Sequence, residues 1–380
     1  MQFKYKQEIL EMNSEKHLQK AGDNSQQYQA NTIIVQNGID EKRAREICTE
    51  MFEIARKDLT AEAYTTACRR VSEFENDLIP KMQKLEGALD YFGDPSFQFL
   101  ITNAHKTAAS TDRPADYSLL SELLIHRVQR GENRATVAGI SRAVEIVDKI
   151  SDEALLALSV AFAILQYGPV SGNISQGLDV LNGLFEKLCY NDLPLGIEWI
   201  DHLDVLDAVR MSNLGGFKKL EDYYSEKMSG YCVAGIKKDS ENYAKALQLL
   251  EEVALPKDLL VDNELNAEYV RLLVVTEKAI EKLQLSQQVN LSGNIITIPV
   301  ALTTEQKNKL YEIYSLYTKE TNVLNLIKQR FKEELLNRQH LNKILNWWNS
   351  IPSSFSITGV GKVLAHANTK RCDNTLPDLN

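Results

Sequence analysis

Apolar residues recur every three or four positions over most of the chain after residue 38, and this spacing predicts a body built from helices. Asp40 is placed to cap a first helix, which the pattern extends to about residue 78. Pro80 is expected to kink or restart that helix, and Asp94 followed by Pro95 predicts the start of the next one. The remaining predicted helices cover 115–130, 134–149, 151–167, 177–190, 195–212, 240–254, 262–285, 303–348 and 357–367.

Two stretches depart from the helical pattern and are predicted to form strands. Residues 25–37 become β-branched and apolar at Ile33, Ile34 and Val35. Residues 287–300 have apolar residues on both sides of a Ser-Gly-Asn turn, a pattern typical of a β-hairpin. The connections between helices are short, which favours antiparallel neighbours. We therefore predict a mainly α fold, an irregular antiparallel helical array with an N-terminal β-prone segment and one small hairpin.

The same patterns divide the chain into four parts. Residues 1–20 are polar with mixed charge and are predicted to form a polar arm. Residues 21–38 are rich in Gln and Asn and are called the tag below. Residues 39–235 are predicted to form a helical domain, and the glycines near its end mark irregular structure. Residues 236–380 are predicted to form a second helical region that contains the hairpin.

The composition is that of a globular protein with a substantial core, since 44% of the 380 residues are hydrophobic and 25% are charged. The net charge of −9 argues against a nucleic-acid partner, because such proteins normally present a basic face. The N-terminus lacks an apolar signal segment, and the longest apolar run, 154–167, is too short to cross a bilayer. Five dispersed cysteines indicate reduced thiols. We therefore predict a cytoplasmic protein without a membrane partner.

The stretch from Ser356 to Lys362 has a superficial similarity to a phosphate-binding loop, because two glycines precede a lysine. The established pattern needs a glycine where Ser356 stands and a serine or threonine where Val363 stands. No sheet is predicted around this stretch. We therefore interpret it as the capped start of a helix rather than as a nucleotide site.

The spacing of the titratable residues does not indicate a metal site. No two histidines lie three or four residues apart, as two ligands on one helix face would. His105 and His126 could meet across neighbouring helices, although a surface or core role is the simpler interpretation. Asp201, Asp204 and Asp207 have the spacing of one helix face and could bind a cation, but a solvated face is the simpler interpretation.

The cysteines and the aromatic residues also have simpler interpretations than catalysis or base stacking. Cys48 and Cys68 fall on the apolar side of a helical pattern, which favours buried thiols over nucleophiles. A stacking surface for bases is conceivable, but an aromatic core or interface fits the helical spacing better. The residues in question are Trp347, Trp348, Tyr311, Tyr314 and Tyr317.

Several motifs give the chain a resemblance to a known family. They are the tag residues Ala21–Ala30, Gly38-Ile39, Asp94-Pro95 with Gln98, the 116–149 block with Ser121, Leu124, Arg127 and Arg134, and the tail residues Thr358–Gly361, Ala365–Asn368 and Arg371. On these residues the chain resembles a little-characterised bacterial family that combines such a tag, a short β-prone stretch and a long helical body. The family usually reads Gln-Lys-Ala-Tyr-Ala-Arg-Ser-Gly where this chain has 105–110, so that stretch departs from the pattern. The resemblance implies an architecture and a bacterial origin, without a particular chemistry.

Similar tags occur on otherwise unrelated bacterial proteins, so the resemblance also implies a modular oligomerisation or recruitment element in stress or phage-defence settings. We expect copies of the tag to pair strand to strand, with side-chain amide ladders and buried aliphatic side chains. The residues expected at this contact are Asn24, Gln27, Gln29, Ile33, Ile34, Val35 and Gln36. The alternatives are a tag folded back on its own body and a disordered leader.

The leading hypothesis is a cytoplasmic interaction protein that self-associates through the tag and presents its helical body to a protein partner. The first alternative is an effector enzyme, such as a nuclease, whose active site is assembled from dispersed residues. The second alternative is a nucleic-acid sensor, against which the negative net charge argues. No catalytic residue, cofactor or metal is predicted, and the absence of a catalytic motif favours a protein that is not an enzyme.

Overall fold

Helices make up most of the fold. A computed structural model describes residues 39–379 apart from 56–59, 131–132, 213–214, 275 and 292–293. The α-helices are α1 (Glu41–Ala55), α2 (Ala61–Gln83), α3 (Pro95–Ser110), α4 (Pro114–Arg130), α5 (Arg134–Ile146), α6 (Asp152–Gln166), α7 (Ile174–Leu188), α8 (Glu198–Val205), α9 (Leu220–Lys227), α10 (Glu241–Glu252), α11 (Thr304–Ser315), α12 (Thr321–Leu336), α13 (Gln339–Ser350) and α14 (Gly359–Cys372). Short 3₁₀ helices cover Ala88–Gly93, Ser229–Cys232, Lys257–Leu259 and Glu277–Lys282. The predicted mainly α fold is therefore confirmed.

The helix starts follow from local sequence. The Asp40 carboxylate accepts a hydrogen bond from the backbone N–H of Arg43 at 2.8 Å, so Asp40 caps α1 as predicted. Asp94 caps α3 in the same way, with Pro95 as the first residue of that helix. Ser151 caps α6 through its hydroxyl oxygen. Each cap satisfies backbone N–H groups that would otherwise lack a partner at a helix N-terminus.

Two stretches that were each predicted as one long helix are divided. The helix predicted from Asp40 to about residue 78 is α1 and α2, and α2 continues through Pro80 to Gln83. Pro80 therefore does not restart the helix. It lies exposed in the last turn of α2, and the helix ends three residues later at Gln83. The stretch predicted over 303–348 is α11, α12 and α13, because the chain passes there from one hydrophobic core to another.

The strands form small antiparallel sheets. They are β1 (Val209–Met211), β2 (Ile236–Lys237), β3 (Leu260–Asp262), β4 (Tyr269–Leu272), β5 (Gln284–Leu291), β6 (Asn294–Ala301) and β7 (Phe355–Ile357). β5 and β6 pair with each other, which confirms the hairpin predicted near 287–300. β1 pairs with β7, and β4 lies between β2 and β3.

The helix predicted over 195–212 is wrong over part of its length. The α-helix predicted over 262–285 is wrong, because the described residues there form strand β4, the 3₁₀ helix Glu277–Lys282 and the start of β5. α8 ends at Val205, and strand β1 follows it. Residues 260–272 contain β3 and β4, because Asn263 turns the chain between them. Its side-chain amide donates to two carbonyl oxygens before β2, at 3.0 and 2.9 Å, and these lie 30 and 29 residues away in sequence. Local residue spacing therefore gives no signal of this turn.

Helix α6 lies in the main hydrophobic core. The longest apolar run of the sequence falls here, and every residue from Ala154 to Ile164 is buried. Helix α14 packs against α4, α5 and α6, so the C-terminal helix closes this core. None of the helices in the described ranges is both long enough and apolar enough to cross a membrane.

A second, smaller hydrophobic core is formed by residues between 233 and 317, within the one compact unit that begins at Ile39. The chain leaves the main core near Gly235 and returns near Thr318, although Leu265 and Tyr269 between these points pack in the main core. The backbone N–H of Thr318 donates to the Gly235 carbonyl oxygen at 2.8 Å. Helices α12 and α13 then pack in the main core. The second core thus starts near the predicted boundary at residue 235, while the assignment of 236–380 to a second region stays a prediction.

Candidate functional site

The β5–β6 hairpin is a candidate interaction surface. Its two strands pair over eight residues each. No third strand pairs with either of them in the part of the chain that the structure describes, so each outer edge offers unpaired backbone N–H and C=O groups. Ile298 and Val300 lie two residues apart on one face of β6 and are 38% and 37% exposed. The hairpin therefore combines open edges with exposed aliphatic side chains.

The residues predicted for self-association, from Asn24 to Gln36, lie outside the described residues, so their contact stays a prediction. The point at which the tag joins the body is described. The backbone N–H of Ile39 donates to the Asp90 carboxylate at 3.1 Å. The side chain of Ile39 packs against the main core. The chain therefore enters the body beside the 3₁₀ helix that precedes α3.

Three side chains with metal-binding chemistry come together among α1, α2 and α3. Cys48, Glu75 and His105 each place one donor atom within 4.8 Å of the other two. Nε2 of His105 lies 3.1 Å from Oε1 of Glu75, and neither Cys48 nor His105 has exposed surface. The rings of Phe52 and Phe74 stand edge-on to the His105 ring, with centroids 6.1 and 5.8 Å away. The sequence analysis missed this cluster because its members lie on three different helices.

The environment of Cys48 is that of a buried thiol beside an ionisable pair. Burial raises the pKa of the Cys48 thiol, so the thiol stays protonated at pH 7 and is a poor nucleophile. This agrees with its interpretation as a buried thiol. Cys68 is half-buried, and neither cysteine forms a disulfide. The cluster is therefore a set of potential metal ligands rather than a nucleophilic site.

We expect the purified protein to contain no stoichiometric transition metal. Zinc at this cluster would require the Cys48 thiol to lose its proton, and burial of that thiol opposes the loss. Elemental analysis of the protein purified without chelators, beside a Cys48→Ser variant, checks this expectation. One zinc per wild-type chain that is lost in the variant would contradict it and would make the cluster a metal site.

The two histidines that the sequence analysis considered together lie in different surroundings. His105 pairs with Glu75, whereas the His126 ring lies beside the His366 ring, with 5.8 Å between centroids. Burial lowers the pKa of His126 to about 4, and the neighbouring His366 acts in the same direction. Burial also lowers the pKa of His366. Both imidazoles are therefore neutral at pH 7, which avoids repulsion between adjacent cations.

A cavity of about 410 Å³ lies beside His126. Helix α4 contributes His126 and Arg130 to its wall, α6 contributes Phe162 and Gln166, and α14 contributes Lys362. Residues at the starts of α5 and α14 also line it, so two helix N-termini meet there. No acidic residue is found among the described residues of the wall. We call this space the basic cavity.

The stretch from Ser356 to Lys362 contains the start of α14, as interpreted from the sequence. The Thr358 hydroxyl oxygen accepts a hydrogen bond from the backbone N–H of Gly361 at 3.1 Å and caps the helix. Ser356 lies in the three-residue strand β7, opposite Arg210 of β1. The prediction of a capped helix start is therefore confirmed. Lys362 of this stretch nevertheless lines the basic cavity.

Two of the three aspartates of the predicted helix face, Asp204 and Asp207, are engaged by arginines. Asp204 and Asp207 both pair with Arg210, at 3.7 and 2.6 Å, and Asp207 also pairs with Arg142 at 3.2 Å. Asp201 is exposed on α8. Asp207 lies beyond the end of α8 with a φ angle of 64°, so it leaves the helix face. The arginines neutralise the carboxylates that a cation would need.

Trp347 and Trp348 are buried in the main core. Their indole N–H groups donate to the carbonyl oxygens of Pro194 and Lys218, at 2.9 and 3.0 Å. The three tyrosines considered with them pack in or against the second core. The interpretation as aromatic core residues is therefore confirmed, because these side chains belong to two separate cores rather than to one stacking surface.

Comparison with known proteins gives a match to the helical body. A protein-family model matches residues 38–380. Its description ends in “-like” and names no activity or ligand. No curated protein and no solved structure matches the chain. The matched range begins at the end of the tag and covers the main core, the second core and the hairpin. The chain therefore belongs to the family that this model describes.

Proposed function

We propose that the protein is a cytoplasmic interaction protein that associates with copies of itself and presents its helical body to a protein partner, in bacterial stress or phage defence. The observation that carries this proposal is the β5–β6 hairpin with two open edges. A two-stranded hairpin is at best marginally stable alone in water, and a third strand or a packing partner normally stabilises it. The hairpin is therefore suited to accept a strand from a second copy.

The exposed face of the hairpin supports the same proposal. Ile298 and Val300 are aliphatic, β-branched and more than one third exposed, at 38% and 37%. Exposed strands with such side chains pair with other chains unless charges or proline protect them. Pro299 lies between the two residues, so the edge is interrupted at one position and open at the others. Contact with a second copy would bury both aliphatic side chains.

The tag supplies the second part of the proposed assembly. Its β-branched residues Ile33, Ile34 and Val35 would be buried between copies, and burial of each contributes roughly 1.5–3 kcal/mol. Its Gln and Asn side chains would form amide ladders along the stack. These gains would offset the entropy cost of ordering a short segment.

We expect the full chain to have a mass above that of the monomer and a chain that begins at Asp40 to have a lower mass. Ile34→Asp in the full chain should lower the mass as much as removal of residues 1–39 does, since it would place a charge in the buried stack. Ile298→Asp combined with Val300→Asp should lower the mass at a given concentration. Size-exclusion chromatography with light scattering measures all four chains.

Val205→Asp is the matched control for these substitutions. Val205 is 78% exposed on α8, in the main body, so this variant adds the same charge away from the hairpin and the tag. We expect it to have the mass of the full chain. Equal masses for the full chain and the chain starting at Asp40 would rule out the tag as the assembly element. An unchanged mass in the hairpin variant would rule out the hairpin.

The effector-enzyme alternative is favoured by the basic cavity. Arg130 and Lys362 could stabilise a phosphoryl group, and His126, a weak base with a pKa of about 4, could position an attacking water through a hydrogen bond. A nuclease of this kind would cleave RNA and would lose cleavage in His126→Ala. The nucleic-acid sensor alternative is less favoured, because a net charge of −9 opposes binding to a polyanion.

A further inference from the structure

We propose that the basic cavity binds a small phosphorylated molecule of nucleotide size, with its phosphate near the start of α14. The proposed function assigns no ligand to the body, so this inference goes beyond it. The proposal rests on the side chains that converge on the cavity, on the two helix N-termini and on a buried histidine without a partner. It does not rest on the glycine pattern before Lys362, which lacks the phosphate-loop sequence.

Positive charge converges on the cavity without a compensating carboxylate among the described residues of its wall. Lys362 on α14 and Arg130 on α4 are both exposed, and neither forms an ion pair with another described residue. A second cavity, which His126 also lines, has a lysine that is compensated, because Lys370 in its wall pairs with Asp378. This pairing with Lys370 lowers the pKa of Asp378, which lies outside the wall of the basic cavity, and the charge of Arg130 contributes to the lowering. In a chain with a net charge of −9, two cations without an ion-pair partner in one concave site favour an anionic ligand.

Two helix N-termini add to this positive potential. Helices α5 and α14 have 13 and 14 residues, and residues at the start of each line the cavity. Their backbones are close, since a Cβ built on Gly139 would lie 3.5 Å from the Gly359 carbonyl group. Aligned peptide dipoles give each N-terminus a partial positive charge. A Cβ built on Gly359 would meet no heavy atom within 4 Å, so a ligand has room to approach.

His126 is an independent indication of a ligand. Its side chain is only 6% exposed, it lines the cavity, and its Nδ1 has no hydrogen-bond partner among the described residues. A buried polar atom left without a partner costs about 1–3 kcal/mol, so native proteins usually satisfy it with protein, water or ligand. A rotation of the neutral ring that turns Nδ1 towards the cavity would let this atom donate a hydrogen bond to a phosphate oxygen.

The rest of the wall fits an organic group. Phe162, Val363 and Leu379 contribute apolar surface, and Gln166 contributes a polar side chain. The volume of about 410 Å³ falls in the range of about 300–1,000 Å³ that is typical of small-molecule sites. A bare phosphate ion would leave most of this volume empty. The site therefore fits a phosphate attached to an organic body, such as a nucleoside monophosphate.

Isothermal titration calorimetry of the full chain with AMP tests the proposal, with adenosine as the probe that lacks the phosphate. We expect saturable binding of AMP and an adenosine affinity lower by about tenfold or more. Lys362→Gln should weaken AMP binding by about tenfold, and Lys362→Gln combined with Arg130→Gln by about a hundredfold. Both side chains are exposed, so these substitutions should leave the fold intact.

Lys319→Gln is the matched control, because Lys319 is exposed and lies outside the cavity wall. This variant should bind AMP like the unmodified chain. The proposal is overturned if AMP does not bind, if adenosine binds equally well, or if Lys362→Gln leaves the AMP affinity unchanged. RNA cleavage that is lost in His126→Ala would also overturn it and would support the enzyme alternative. None of these outcomes depends on oligomer mass, so the self-association proposal stands or falls separately.

Discussion

Gly361→Ala is expected to lower the free energy of unfolding by about 3 kcal/mol, at the upper end of what overpacking normally costs. A Cβ built on Gly361 would overlap the Ala208 carbonyl oxygen and would lie 2.9 Å from Cγ2 of Ile357. The carbonyl is held in place because it accepts hydrogen bonds from the backbone N–H and the hydroxyl of Thr358, at 3.1 and 3.0 Å. The added methyl group would therefore push α14 away from the β1–β7 sheet.

Gly359→Ala, two residues earlier in the same helix, is the matched control. A Cβ at Gly359 would meet no heavy atom within 4 Å, so we expect a change within about 0.5 kcal/mol. Urea unfolding followed by far-ultraviolet circular dichroism measures both variants. Equal losses in the two variants, or no loss in Gly361→Ala, would contradict the close contact between α14 and Ala208.

Arg271→Met is expected to cost about 3 kcal/mol of unfolding free energy, because it removes a buried cation that several groups depend on. The Arg271 side chain has no exposed surface and donates from Nη2 to the Gly172 carbonyl oxygen. It also lies 3.6 Å from Oε1 of Glu264. The Glu264 carboxylate in turn accepts hydrogen bonds from the first two backbone N–H groups of α7, at 2.8 and 2.7 Å.

Loss of Arg271 would leave the Gly172 carbonyl without this donor and the Glu264 carboxylate without its nearby cation. Arg210→Met is the matched control, since Arg210 is 54% exposed and pairs with Asp207 at the surface. Exposed ion pairs of this kind contribute about 0–1 kcal/mol. The same urea measurement compares the two variants, and similar small losses in both would contradict a structural role for the buried arginine.

The features that the sequence predicted well are those that neighbouring residues determine. Asp40 and Asp94 cap helices because each side chain bonds to a backbone N–H three residues further on. The β5–β6 hairpin was predictable because its turn and its flanking apolar residues are contiguous. The buried helix α6 was predictable because Ser159 is the one polar residue between Ala154 and Ile164. In each case the physical cause and its signal lie in the same short segment.

The features that the sequence did not predict depend on residues far apart in the chain. Asn263 turns β3 into β4 through bonds to carbonyls about 30 residues earlier. The basic cavity combines His126 and Lys362, which are more than 200 residues apart. Its one local signal was the glycine-lysine stretch at the start of α14. That stretch lacks the phosphate-loop sequence, so it predicted a capped helix start and not a cavity. The convergence of charges required the fold.

Residues 236–317 form an insertion in the main body, because the hydrogen bond between Thr318 and Gly235 holds the two ends of this stretch together. The chain enters and leaves the second core at adjoining points, so the path of the main body does not depend on the length of residues 236–317. Evolution could lengthen, shorten or exchange this stretch without rerouting α12 or α13, provided that the contacts of Glu264, Leu265, Tyr269 and Arg271 with the main body are kept or replaced. The β5–β6 hairpin belongs to this stretch, and its partners can therefore diversify among relatives while the main body is preserved.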